Sequence, residues 1–177
     1  LVGSEMCIRD RTKAFAWADE YDGLSAPTPA EAAVDAQIVF LCVGNDSDVR
    51  SVTVEAEGVL STMTAGTLLV DHTTTSKALA EELHAACNDL GIAFIDAPVS
   101  GGQAGAENGV LTVMAGGEAS AFKVMEPVVA AYAKHTQRMG DVGSGQVTKM
   151  VNQLCIAGIL GGLSEACLLY TSPSPRD

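Results

Sequence analysis

The sequence is short of positive charge: 10 lysines and arginines stand against 22 aspartates and glutamates, a formal net charge of −12. A surface that acidic repels phosphate backbones and anionic lipid, which argues against a nucleic-acid partner and against a membrane-surface role. Metal-binding patterns are missing as well. There is no CxxC pair and no His/Cys cluster, so no metal site is expected. The interior cysteines, Cys42, Cys87 and Cys155, are widely spaced and odd in number. They fit a reduced compartment, the cytoplasm, better than a disulfide framework. The most apolar long segment (147–163) is broken by Lys149, Asn152 and Gln153, which argues against a membrane span.

The two ends are unlike the rest. "LVGSEMCIRD" (1–10) can be back-translated into DNA whose reverse complement, in another frame, encodes "LLYTSPSPR" (168–176). That DNA resembles a transposase adapter used in sequencing libraries. Residues 1–11 and 167–177 are therefore read as non-native and set aside. The remaining 155 or so residues (12–166) suffice for one domain with a real core.

What is present alternates. "IVFLCV" (38–43), "TLLVD" (67–71), "AFIDA" (93–97) and "LTVMA" (111–115) read as buried strands. Helical patterns lie between them: 76–90, opened by a Ser76 cap and stopped by Gly91, and 119–133, interrupted by Pro127. Buried strands alternating with helices predict an α/β, doubly wound, mostly parallel sheet. From Ser144 to Ala166 the chain reads as one long helix, apolar all round and therefore expected to be buried.

Ligands of doubly wound sheets sit beyond the carboxyl ends of the strands. Three turns occupy those places, "GNDSD" (44–48), "HTTTS" (72–76) and "PVSGG" (98–102), all built from small residues. The last is the most unusual. A serine and two adjacent glycines after a buried strand leave room for a ligand to touch backbone N–H groups, an anion nest. Lys149 is the other singular feature, an ammonium among Val147, Met150, Val151, Leu154, Cys155 and Ile156. Burying an amine is costly unless it is paired or deprotonated. Asn152 and Gln153 follow at i+3 and i+4, which predicts a polar strip on its face. His72, His84 and His135 have no metal-ligand spacing. His72 is expected to be a capping or solvated residue, and the other two to lie on or near helix surfaces.

Together, "DAPVSGGQAGAENGVLTVMAGG" (96–117), "GxGxxxKxxNQ" (143–153), "FLCVGNDSDV" (40–49) and "LVDHTTTS" (69–76) resemble the β-hydroxyacid dehydrogenases, the family of 3-hydroxyisobutyrate dehydrogenase and tartronate semialdehyde reductase. The first two motifs are specific to that family and the last two supportive; the resemblance spans nearly all of 12–166. It implies a Rossmann-like NAD(P)-binding domain over 12–142 that lacks its first βαβ element. It places at 143–166 the start of an interdomain helix leading to an all-α domain. It implies hydride transfer between NAD or NADP and a small β-hydroxyacid or its semialdehyde.

By the same resemblance, Lys149 would be the catalytic acid/base. Ser100, Gly101, Gly102, Asn152 and Gln153 would hold a small carboxylate substrate. Val43, Gly44, Asp48 and Thr73 would line the cofactor. Gly44 replaces a proline common in the family, and Gln153 a frequent second asparagine. The Gly-rich phosphate loop is expected upstream of Thr12, and the intact parent is expected to be a homodimer or homotetramer. A fragment of this extent is expected to bind cofactor poorly and not turn over. Two alternatives stand beside this reading: a non-catalytic binding module on the same fold, and an imine-reducing relative. Relatives of both kinds usually lack the lysine.

Overall fold

The computed structural model describes residues 5–6 and 11–171. Most of both termini read as adapter-encoded (1–4, 7–10 and 172–177) lies outside the described residues.

Strand β1 (Glu5–Met6) pairs in parallel with β2 (Leu24–Ser25), and helix α1 (Arg11–Tyr21) connects them. Thr28 caps the short helix α2 (Pro29–Ala32) by accepting the Glu31 N–H. The main sheet then begins. Strand β3 (Ile38–Leu41) leads to helix α3 (Asp46–Thr53), a 3₁₀ turn (Val59–Ser61) and strand β4 (Leu68–Asp71). Helix α4 (Lys77–Asp89) and strand β5 (Ala93–Asp96) follow. The Ser76 hydroxyl accepts the Leu79 N–H at 3.1 Å, and Gly91 takes φ +70° just past the helix end, as the cap and stop signals predict.

β3, β4 and β5 run parallel, while the next strands reverse direction. Strand β6 (Val99–Ser100), helix α5 (Gly102–Glu107) and strand β7 (Leu111–Gly117) form a compact return, with β7 antiparallel to both β5 and β6. Helix α6 (Ala119–Val129) carries the chain to β8 (Ala133–Gly140), parallel to β7 at the sheet edge. Helix α7 (Ser144–Thr171) closes the described chain.

The result is the Rossmann-like, parallel-dominant sheet with helices on both faces. Side-chain alternation builds the two cores. Leu69 and Phe94 face Leu79, Leu83 and Cys87 on one side, while Leu68, Val70 and Ile95 face Met125 and Val129 on the other. Each such fully buried side chain contributes about 1.5–3 kcal/mol.

Four sequence expectations are corrected. "GNDSD" is not only a turn: Asn45 accepts the N–H groups of Ser47 and Asp48 and starts α3. The helix expected over 119–133 ends at Val129, two residues past Pro127, and its last expected residue opens β8. The exposed His135 thus sits on this strand rather than near a helix surface. The apolar helix α7 is not buried all round either. Only Gly145, Gln146 and Lys149 of it are buried, and Leu154 is 74 % exposed. The helix is 28 residues long and contains an 18-residue window of mean hydropathy 1.6, long and apolar enough to cross a membrane by length and composition alone. The buried residues of its first turns rest on the sheet instead.

Candidate active site

Helix α7 is set on the sheet by polar contacts. Asp96, fully buried at the end of β5, accepts the Gly143 N–H at 2.7 Å and the Gln146 N–H at 2.9 Å. A carboxylate at a helix N-terminus satisfies orphan donors and suits the dipole. Burial outweighs these donors and pushes the Asp96 carboxyl up to about 6. Gln146, also fully buried, donates to the Thr73 carbonyl at 2.7 Å and accepts the Thr75 N–H at 3.0 Å, tying α7 to the turn after β4. Close approach needs Gly145: a Cβ there would strike the Met114 carbonyl and lie 2.6 Å from the Asp96 carbonyl oxygen. With the helix start fixed on this face, one turn on brings Lys149 inward, 8 % exposed. Burial lowers its pKa from the ordinary lysine value.

Lys149 lines a cavity of about 510 Å³ with Ser100, Gly101, Gly102, Gln103, Ala106, Leu111, Val99, Cys42 and His72. The lysine and the Ser-Gly-Gly cradle, nearly fifty residues apart in sequence, thus share one wall. Positive φ at Gly101 (136°) and Gly102 (62°) turns the backbone sharply from β6 into α5. Nothing lies within 4 Å of where a Gly102 Cβ would be, so the cradle is open on that side. Of the polar strip expected beside Lys149, Asn152 is half-buried and Gln153 exposed, with the Asn152 amide donating to Gln153 Oε1 at 3.2 Å. The i+4 position has rotated off the packed face, and neither residue lines the cavity.

The residues expected at the cofactor are also neighbours. The Val43 N–H donates to Thr73 Oγ1 at 3.0 Å, and the Thr73 N–H donates to Asp71 at 2.9 Å. Burial pushes Asp71 up to about 6 against those donors. Asp46 joins the turns after β3 and β4 by accepting the Ser76 N–H and hydroxyl at 3.1 and 2.5 Å. A Cβ on Gly44 would lie 2.5 Å from Asp48 Oδ2, so the backbone at this turn stays bare. Thr73 is buried, Val43 and Asp48 are half-buried and Gly44 is exposed; these four residues cluster at the ends of β3 and β4 beside Cys42 and His72, but none of them lines the cavity itself.

Sequence reasoning missed three of the residues that build this site. Asp96 was read only as the end of a strand, although an acid there, facing a helix start, is an available signal. Gln146, at i−3 from Lys149, was legible as the same helix face. The setting of His72 depends on Tyr132, sixty residues away, and no local pattern announces it. His72 is neither a cap nor solvated: it is half-buried in the cavity wall.

Comparison with known proteins agrees with the fold. Residues 3–149 match the NAD binding domain of 6-phosphogluconate dehydrogenase. An uncharacterized oxidoreductase of Shewanella frigidimarina is 52 % identical over 165 residues, covering 92 % of this chain and 57 % of that protein. A probable 3-hydroxyisobutyrate dehydrogenase-like protein of Arabidopsis thaliana is 42 % identical over 140 residues, 79 % of this chain and 44 % of its own length. Among solved structures, the Mycobacterium tuberculosis 3-hydroxyisobutyrate dehydrogenase with L-serine superimposes with a TM-score of 0.84 at 30 % identity, covering 92 % of this chain and 55 % of that one. The chain spans about half the length of these relatives.

Proposed function

The chain belongs to the family of the NAD binding domain of 6-phosphogluconate dehydrogenase, and from that premise we propose that it is the cofactor-binding part of an oxidoreductase acting on a small β-hydroxyacid or its semialdehyde. The observation that carries the reading is the buried Lys149 sharing a cavity with Ser100, Gly101 and Gly102. A nicotinamide cofactor, NAD or NADP, supplies the hydride acceptor or donor when bound at the edge formed by Val43, Gly44, Asp48 and Thr73. The Ser100 hydroxyl and the backbone of Gly101 and Gly102 hold the substrate carboxylate. The Lys149 amine takes the proton from the substrate hydroxyl oxygen in oxidation and returns it to the aldehyde oxygen in reduction. Its lowered pKa brings that exchange closer to neutral pH. Arginine could not serve, because it holds its proton throughout this range.

Asn152, half-buried one turn beyond Lys149, is assigned to the substrate. Gln153 is assigned with it in the full-length protein, where further residues can turn its exposed side into a pocket wall. The L-serine in the mycobacterial structure is a small 3-hydroxy acid and supports the substrate class. Retention of the lysine favours this reading over an imine reductase or a non-catalytic module. Free thiols at Cys42, Cys87 and Cys155 support the cytoplasm. A homodimer or homotetramer of the parent protein is assigned on the family resemblance alone.

The test is direct. In the full-length gene product, Lys149→Ala should lower kcat by about 10²–10⁴-fold on tartronate semialdehyde, 3-hydroxyisobutyrate or succinic semialdehyde. Unchanged turnover on all three, with either cofactor, would remove the lysine from the mechanism.

A further inference from the structure

The His72 imidazole is held at both nitrogens. Nδ1 lies 2.6 Å from the Ala97 carbonyl oxygen and Nε2 lies 2.7 Å from the Tyr132 hydroxyl. A carbonyl only accepts, so Nδ1 carries the proton; in the neutral ring Nε2 is then an acceptor and Tyr132 donates to it. Phe40 stacks on the ring at 5.5 Å, and Tyr132 meets it edge-on at 5.7 Å. Ring plane and tautomer are both fixed.

Both contacts bear on the cradle. Ala97 opens the loop that carries it, and the next carbonyl, that of Pro98, accepts the Met114 N–H at 3.1 Å. The ring itself forms part of the wall that Ser100, Gly101, Gly102 and Lys149 share. We propose that His72 is a positioning residue: set as the Nδ1–H tautomer by the Ala97 carbonyl and held in plane by Tyr132, it anchors that carbonyl and so sets the Ser100–Gly101–Gly102 backbone opposite Lys149. This rests on the reading of that cavity as the substrate site. With both nitrogens engaged, His72 has no proton to offer a substrate, and Lys149 is left as the acid/base of the wall. The titratable groups around the ring are Cys42 at the end of β3, Asp71 before it on β4, Tyr132 ahead of β8 and Lys149 on α7. Burial holds the imidazole pKa below its usual value, consistent with a neutral ring.

Two measurements test this. In the 177-residue chain with ¹⁵N-labelled histidine, NMR should show His72 as the Nδ1–H tautomer when neutral, becoming protonated only at a lower pH than an ordinary histidine does. An Nε2–H tautomer, or ordinary titration, would overturn the proposal. In the full-length enzyme, His72→Leu should raise the substrate KM about five- to tenfold while kcat stays within about twofold, the effect of one lost hydrogen bond on binding. His72→Asn puts a donor where Nδ1 was and should restore most of that KM; Tyr132→Phe should fall between the two. Failure of asparagine to rescue, or a loss confined to kcat, counts against positioning. If His72→Leu does not fold, the Asn and Phe variants carry the same comparison. An essential Lys149 with silent His72 variants sinks this inference alone, whereas a dispensable Lys149 sinks the functional reading beneath it.

Discussion

Helix α7 contains two regions of opposite fate, and the less apolar of the two is the one held to the domain. Its first turns (144–152) are fixed by buried polar groups: Asp96 receives the helix N–H groups, and Gln146 bonds to the turn after β4. The remainder (153–171) carries Leu154, Ile159, Leu160 and Leu163, all more than half exposed, and every described residue in it is exposed. Hydrophobicity alone therefore does not decide which part of the helix is held. A few satisfied polar contacts and one glycine do, because an unpaired buried donor or acceptor is costly enough to make the docking geometry specific.

The largest break in this comparison should come from Gly145. A valine there drives side-chain carbons into the Met114 and Asp96 carbonyls, with no flexible side chain to yield. It should cost about 3 kcal/mol or more in urea unfolding of this chain, and detach the helix start from the sheet. A loss under about 0.5 kcal/mol, the range of an ordinary surface change, would show that the close approach is not what holds α7.

The second effect is a pH slope. Asp96 and Asp71 have folded pKa values pushed up to about 6, above an unfolded value near 3.9. A raised acid pKa means that the folded state holds its proton longer than the unfolded state does. Their contribution is therefore fully present below about pH 4 and is lost as pH rises through about 6. Each group is worth about 3 kcal/mol across that window, one pKa unit being about 1.4 kcal/mol. Unfolding free energies measured from pH 4 to 7 should carry this falling contribution, and Asp96→Asn should remove about half of it. A slope unaltered by Asp96→Asn would mean that the carboxylate is not buried against the helix start. Gln146→Leu should come next, at about 2 kcal/mol, because it strands the Thr75 N–H and the Thr73 carbonyl.

Much of this was legible in the sequence, and the reasons differ by residue. The β4, β5 and β7 runs stood out because they are mostly buried, and the half-buried β3 because it too reads as a continuous apolar segment. The Ser76 cap and the Gly91 stop are local chemistry, and they fell where local chemistry placed them. Strand β8, "AKHTQRMG", was not legible: it pairs only with β7, sits at an edge and is mostly polar. Helix α3 was obscured because Asn45 and its neighbours look the same in a turn as in a cap. The resemblance to β-hydroxyacid dehydrogenases agrees with the family match over 3–149. Proximity of Lys149 to the Ser-Gly-Gly cradle was implied by that resemblance and never by spacing, because only the folded sheet brings them together. Gln153 shows the limit of the helical wheel: i+4 from a buried residue falls outside a contact face as narrow as this one.

The smallest expected effect sharpens the contrast most. Leu154 and Leu163, at 74 and 59 % exposed, touch too little of the domain to lose much on truncation. Leu154→Ser and Leu163→Ser should therefore each change the stability of this chain by less than about 0.5 kcal/mol, the range of ordinary surface substitutions. A helix face that apolar is seldom left to water in a whole protein. In the full-length gene product, where the proposed downstream residues would cover it, the same two changes should cost about 2 kcal/mol or more each, as large-to-small core substitutions do. The paired unfolding measurement separates two causes of order in one helix. A large cost in the short chain would mean that its outer turns are already docked, and equal small costs in both proteins would mean that nothing downstream packs on them.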